Sequence, residues 1–141
     1  MDAIKNLLSR KSSKNLEAPF PSKKEMDIVY QSALRAPDHA WLRPSKFLEF
    51  KGESLEKLSK IFTNFANDHF HDDEAFIEKA KAAPFRAPMV IVLITEIKDH
   101  PKVPAVEQML STSAATQNIL LALHALGYGA IWKTGKLALN E

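Results

Sequence analysis

Residues 104–127, PAVEQMLSTSAATQNILLALHALG, constrain this chain more than any other stretch. From Ala114 to Leu126 nearly every position is apolar or small, a pattern too continuous for a one-sided amphipathic helix and too long for a strand. The segment therefore reads as a buried central helix. Gly127 supplies the left-handed residue that ends such a helix, and residues 128–132 read as a short core strand. Trp132, Lys133, Thr134 and Gly135 then place an indole, a cation, a hydroxyl and a permissive backbone where a strand meets a loop. That combination suits an anion.

A spine of this kind needs a core to sit in. With 141 residues, 45% of them hydrophobic and 26% charged, the chain is expected to form one domain spanning residues 1–141. The net charge of +2 is too near zero, and aromatic–basic platforms too scarce, for a nucleic-acid binder. Cysteine is absent, which removes disulfides, thiolate nucleophiles and cysteine metal sites. The central helix carries Gln117, Asn118 and His124 and is too short to cross a bilayer, so no membrane span is expected and the location reads as cytoplasmic.

Order along the chain follows from caps and periodicity. Asp2 is placed to cap a first helix bearing Ile4, Leu7 and Leu8, which leads into Arg10, Lys11, Ser12 and Ser13. Those four residues are either a solvated basic turn or a phosphate grip; composition alone favours the turn. Ser22 and Glu25 form a capping-box pattern that opens a helix ending near Arg35. Pro37 disfavours helix at Ala36, so residues 35–44, RAPDHAWLRP, form a structured loop carrying two cations, an acid, a histidine and an indole. Residues 46–51 alternate as a half-buried strand, and Leu55, Leu58, Ile61, Phe62 and Phe65 share the core face of the next helix. In HFHDDE, residues 69–74, Asp72 or Asp73 reads as a helix cap, and no metal site is assigned. Residues 89–95, MVIVLIT, read as a central strand buried on both faces.

Four strings together carry a resemblance. SAATQNILLALHALGYGAIW is similar to the central helix and following turn of the nitroreductase family of flavoproteins. RKSS resembles that family's Arg-Arg-Ser phosphate motif, RAPDH its second flavin-contacting loop in the short single-domain subfamily, and APFRAPMVIVL the approach to its core strand. Lys11 stands where the motif has its second Arg, Lys133 where the short subfamily commonly has Arg, and Arg43, Pro44 and Ser45 where it has Gln-Pro-Trp.

The resemblance implies an α+β fold, a three-layer sandwich with a central mixed sheet flanked by helices and completed by a partner chain. It also implies a homodimer with FMN at the interface. Arg10, Lys11 and Ser12 would meet the ribityl phosphate, joined by Trp132, Lys133 and Thr134, while Arg35 and His39 would touch the polar edges of the flavin. Ala122, Leu123, His124, Ala125, Leu126 and Gly127 match the segment assigned to the nicotinamide dinucleotide. The implied chemistry is a ping-pong cycle in which NADH or NADPH gives hydride to flavin N5, and a nitroaromatic, quinone or similar acceptor then takes it. Relative to the family the sequence is expected to lack a C-terminal helix, strand and arm, which leaves a second reading, a truncated flavin-binding or dimerisation module without turnover.

Overall fold

The computed structural model describes residues 2–138. Five α-helices and two strands follow one another as α1 (Ala3–Ser9), α2 (Lys23–Ala33), β1 (Ser45–Lys51), α3 (Ser54–His69), α4 (Glu74–Ala82), β2 (Met89–Thr95) and α5 (Ala105–Ala125). Single 3-10 turns lie at His39–Trp41 and Ala83–Arg86. The chain divides into two compact units, and β1 and β2 each contribute residues to both.

The first unit holds the described residues of Met1–Lys14, Pro21–Leu48 and Val92–Trp132. Its core is the seam between α2 and α5, where Met26, Val29 and Ala33 meet a stripe of Ala115, Ile119, Leu120 and Leu123. The caps work as the sequence predicts. Asp2 accepts from the Ile4 and Lys5 amides, and Ser22 and Glu25 complete a reciprocal box at the start of α2. Each such cap contributes about 1 kcal/mol by satisfying amides that a helix start leaves open. At its other end α5 stops on Gly127, at φ +91°, in a Schellman motif: Gly127 N–H donates to His124 O, and Tyr128 N–H to Leu123 O.

The second unit holds the described residues of Asn15–Phe20, Glu49–Ile91 and Lys133–Glu141. Here α3 packs on α4, Leu55, Leu58, Ala66 and Ala80 are buried apolar residues of the two helices, and Ser59 Oγ donates to Lys81 O at 2.7 Å. Asp73 is the acid that caps α4, accepting from the Phe76 amide. Ile61 departs from its expected core position at 57% exposure, because its neighbours Leu58 and Ala66 define the buried stripe and it lies to one side.

Three further expectations are corrected. Residues 128–132 form no strand; the segment's bonds run from Ser13 N–H to Ala130 O and from Tyr128 N–H to Leu123 O, and no ladder forms among the described residues. β2 is half-buried rather than enclosed on both faces: among the described residues it pairs only with β1, and Ile94 is 40% exposed. The pairing is antiparallel, with Glu96 N–H donating to Pro44 O so that the start of β1 lies beside the end of β2. Finally, α5 is buried along one stripe only, and its first turns leave Val106, Met109 and Leu110 exposed.

Candidate functional site

Helix α1 ends at Ser9 and hands the chain to Arg10 and Lys11, which line a recess of about 270 Å³ together with Ser13, Leu120, His124 and residues 127–130. Two contacts seat this corner on α5. Asn6 Nδ2 donates to Leu121 O at 3.1 Å, and Ser9 Oγ lies 3.0 Å from His124 Nε2. Because Ser9 gives its hydroxyl proton to Lys5 O at 2.6 Å, its oxygen accepts from His124, which places that imidazole's proton on Nε2 and turns Nδ1 away from Ser9.

The electrostatics of the recess are one-signed. Neither Arg10 nor Lys11 forms an ion pair among the described residues, and no Asp or Glu lines the wall. Gly129 and Ala130 line the same recess, and their amides make no hydrogen bond among the described residues. Two cations, a serine and open backbone donors around one hollow form an anion-binding arrangement.

The wall at 127–130 is tied down from outside. Tyr128 OH donates to Glu25 Oε2 at 3.1 Å, and the same oxygen accepts Ser22 N–H at 2.8 Å and Ser22 Oγ–H at 2.6 Å. The Ser22 hydrogen bonds, chiefly, hold the Glu25 carboxyl below the ordinary carboxylate range. Partial desolvation and the Glu25 charge push the Tyr128 phenol up, so it remains a donor at neutral pH.

The loop 35–44 forms a second feature of the same unit. Ala40, Trp41 and Arg43 all carry positive φ, at 57°, 56° and 50°, each costing on the order of 1 kcal/mol for a side chain other than glycine. Asp38 holds this geometry by accepting from the Leu42 and Arg43 amides at 3.1 and 2.9 Å, and Lys98 Nζ donates to Leu42 O. The Arg43 guanidinium lies 4.5 Å from the centre of the exposed Trp41 indole. His39 Nδ1 lies 2.7 Å from Glu107 Oε2 on α5.

The residues singled out from sequence therefore fall into three places. Arg10, Lys11, His124 and Gly127 share the recess, which Ser13 lines while Ser12 is exposed. Arg35 and His39 are exposed on the loop, His39 engaged by Glu107. Trp132, 47% exposed, closes the last segment of the first unit, and Lys133 and Thr134 open that of the second. Ser13 belongs to the polar corner that the sequence offered as a phosphate grip; sequence reasoning did not assign Tyr128, Gly129 and Ala130 to a site. The Gly-Tyr-Gly string directly after a helix stop was the available signal, since two glycines flanking one aromatic mark backbone that must approach something closely. Among the described residues no group of His, Asp or Glu side chains is arranged to hold a metal ion, and no helix is long and apolar enough to cross a membrane.

Comparison with known proteins gives a consistent answer. The model of the Nitroreductase family matches residues 7–138. A protein of Escherichia coli K12 named "Putative NAD(P)H nitroreductase YdjA" is 36% identical over 137 residues, covering 97% of this chain and 74% of its own length. Its Haemophilus influenzae Rd counterpart of the same enzyme name is 40% identical over 137 residues, covering 96% and 74%. Among solved structures, the nitroreductase-like family protein of Bacillus cereus superposes with a TM-score of 0.77 at 21% identity, over 97% of this chain and 72% of that one. A Bacteroides fragilis nitroreductase with bound FMN gives 0.67 at 18% identity, over 88% and 65%.

Proposed function

Because the chain belongs to the nitroreductase family, we propose that it is an FMN-dependent oxidoreductase that takes hydride from NADH or NADPH and delivers it to a nitroaromatic, quinone or similar acceptor in two separate half-reactions. The observation that carries this reading is the recess that Arg10 and Lys11, without carboxylate partners among the described residues, line together with Gly129 and Ala130, whose amides are open. The terminal phosphate of FMN is a dianion, and this donor set fits it. Charge-assisted hydrogen bonds of about 1.5–3 kcal/mol each are available from the two cations. When bound, FMN supplies the hydride-accepting N5; the cofactor carries the reactivity, and the protein binds and orients.

Within that assignment, Arg10, Lys11 and the Ser12–Ser13 corner hold the phosphate. Trp132, Lys133 and Thr134 are part of the same proposed set. Arg35 and His39 read the polar edges of the ring or its ribityl chain. His124 and Gly127, from the segment 122–127 read as nicotinamide-binding, line the same recess as Arg10, which supports a dinucleotide approaching from the end of α5. The proposal includes a homodimer with FMN at its interface, supported by Val106, Met109 and Leu110, an apolar face of α5 that its own chain leaves exposed. It also includes a single domain, supported by a family match that runs through the segments of both units, and a cytoplasmic location.

An absorption spectrum tests the reading. The purified protein, reconstituted with FMN and desalted, should keep the yellow flavin bands and lose them on anaerobic addition of NADPH or NADH. Admission of a quinone or nitroaromatic should then restore them. Protein that emerges colourless and leaves NADPH unoxidised sinks the proposal, and flavin that is retained but never bleached points instead to a binding module without turnover.

A further inference from the structure

Glu25 does not line the recess, yet it touches the wall through one atom. Its Oε2 accepts from Tyr128 OH at 3.1 Å while also accepting both Ser22 donors, so the capping box at the start of α2 doubles as an anchor for the loop after α5. Tyr128 is held at its backbone as well, by the bond from its N–H to Leu123 O. A residue fixed at both ends fixes its neighbours. The next two positions, Gly129 and Ala130, form the recess wall, and Ala130 O accepts from Ser13 N–H at 3.0 Å, which carries the constraint across to the Arg10–Lys11 corner. Two glycines flank Tyr128, so without the phenol's bond the backbone beside it has more conformational freedom.

We propose that Glu25 is a positioning residue for the anion-binding recess, acting through the Tyr128 phenol to hold Gly129 and Ala130 where their amides meet an anionic group. The inference rests on the reading of that group as the FMN phosphate. Glu25 makes no contact with the ligand itself. It removes freedom from the wall before the ligand arrives, which is a gain in affinity by preorganisation. The bond joins a phenol donor to a carboxylate acceptor at 3.1 Å. Tyr128 itself lines the recess, so the anchor and the wall are one residue.

The test is an FMN titration of the full chain, followed by quenching of flavin fluorescence, for wild type, Glu25→Ala, Tyr128→Phe, the double variant and Ser22→Ala. Glu25→Ala and Tyr128→Phe should each raise Kd about tenfold, the loss of one hydrogen bond to a charged group. The double variant should be no weaker than either single, since both remove the same bond. Ser22→Ala weakens the cap but leaves Glu25 facing Tyr128, so it should lower the thermal midpoint while Kd stays within about twofold of wild type. In FMN-free protein, amide exchange at Gly129 and Ala130 should quicken in Tyr128→Phe and not in Ser22→Ala.

Wild-type affinity in Glu25→Ala, singles whose effects multiply in the double, or a Ser22→Ala Kd that rises as far as the others overturns the proposal. Should Tyr128→Phe fail to fold, Glu25→Ala against Ser22→Ala decides alone. A wild type that takes up no FMN overturns the proposal together with the reading it rests on; a wild type that binds with variants that bind equally well overturns the proposal only.

Discussion

His39 Nδ1 and Glu107 Oε2 stand 2.7 Å apart, joining the loop 35–44 to the first turn of α5. Both side chains are about half exposed, which limits what the pair contributes to folding to at most about 1 kcal/mol. Glu107→Gln should therefore leave the urea midpoint almost unchanged. His39→Ala should also be nearly neutral for stability but should weaken FMN several-fold, because the proposed role of the imidazole lies in the ligand and not in the pair. Equal FMN affinity in His39→Ala removes it from the site.

Arg10→Ala offers the sharpest contrast between binding and folding. With no ion pair to lose among the described residues, the apo-protein should unfold at the wild-type temperature to within a degree or two. Loss of one charge-assisted contact to a phosphate should cost FMN affinity about 1.5–3 kcal/mol, at least tenfold in Kd. Isothermal titration with FMN and, separately, with riboflavin checks it. Riboflavin has no phosphate and should be indifferent to the substitution.

Gly127→Ala isolates a backbone effect. A Cβ at this position would meet no atom within 4 Å, so crowding plays no part, but φ of +91° is a conformation that residues with side chains rarely adopt. The expected loss is about 1–2 kcal/mol, read from a denaturant titration as a shifted midpoint with an unchanged slope. FMN affinity should fall with it, because the Schellman motif delivers the chain into the recess wall.

Acid should loosen the molecule through Glu25 and Glu96. Both carboxyls lie below the ordinary carboxylate range in the folded chain, Glu25 through its bonds from Ser22 and Glu96 through Lys46. A lowered folded-state pKa means that the unfolded chain binds the proton first, so their contribution is complete above the unfolded carboxylate pKa and disappears as pH falls through the depressed values. Thermal midpoints measured from pH 7 down to about pH 3 should decline less steeply in Glu25→Gln than in wild type. Identical slopes would show that the carboxylate gains nothing from Ser22 and Tyr128.

Gln108→Leu tests a buried polar hub. The Gln108 side chain accepts from Lys98 N–H at 2.9 Å and donates to Lys98 O at 2.8 Å and Val103 O at 3.3 Å, at 2% exposure. Leucine matches the volume but strands those backbone groups, at a cost of about 2–4 kcal/mol measured by urea unfolding.

What could be read from residues alone was whatever depends on neighbours in sequence. Asp2, Ser22 and Gly127 each announced a helix boundary, as did the pair Asp72 and Asp73, of which Asp73 is the cap, and the structure places a cap or a stop at each. The family-specific strings located Arg10, Lys11 and His124, which share one recess. Burial was less legible. The run MVIVLIT carries the composition of an enclosed strand, yet enclosure depends on what lies beside a strand, and β2 has only β1 among the described residues. Residues 128–132 failed as a strand for the same reason. The link from Tyr128 to Glu25 spans more than a hundred positions and joins a cap to a loop, two features whose local signals are complete without each other.

The bonds of Gln108 also have a geometric consequence at the opposite end of its helix. α5 runs for 21 residues, roughly 31 Å, and turns by about 100° per residue. By fastening itself to Lys98 and Val103, Gln108 sets the rotational phase of the whole cylinder. A slip of one residue would break its bonds and swing His124 about 100° away from Ser9 and the recess. The direction in which the helix aims its last histidine is thus decided near its first turn.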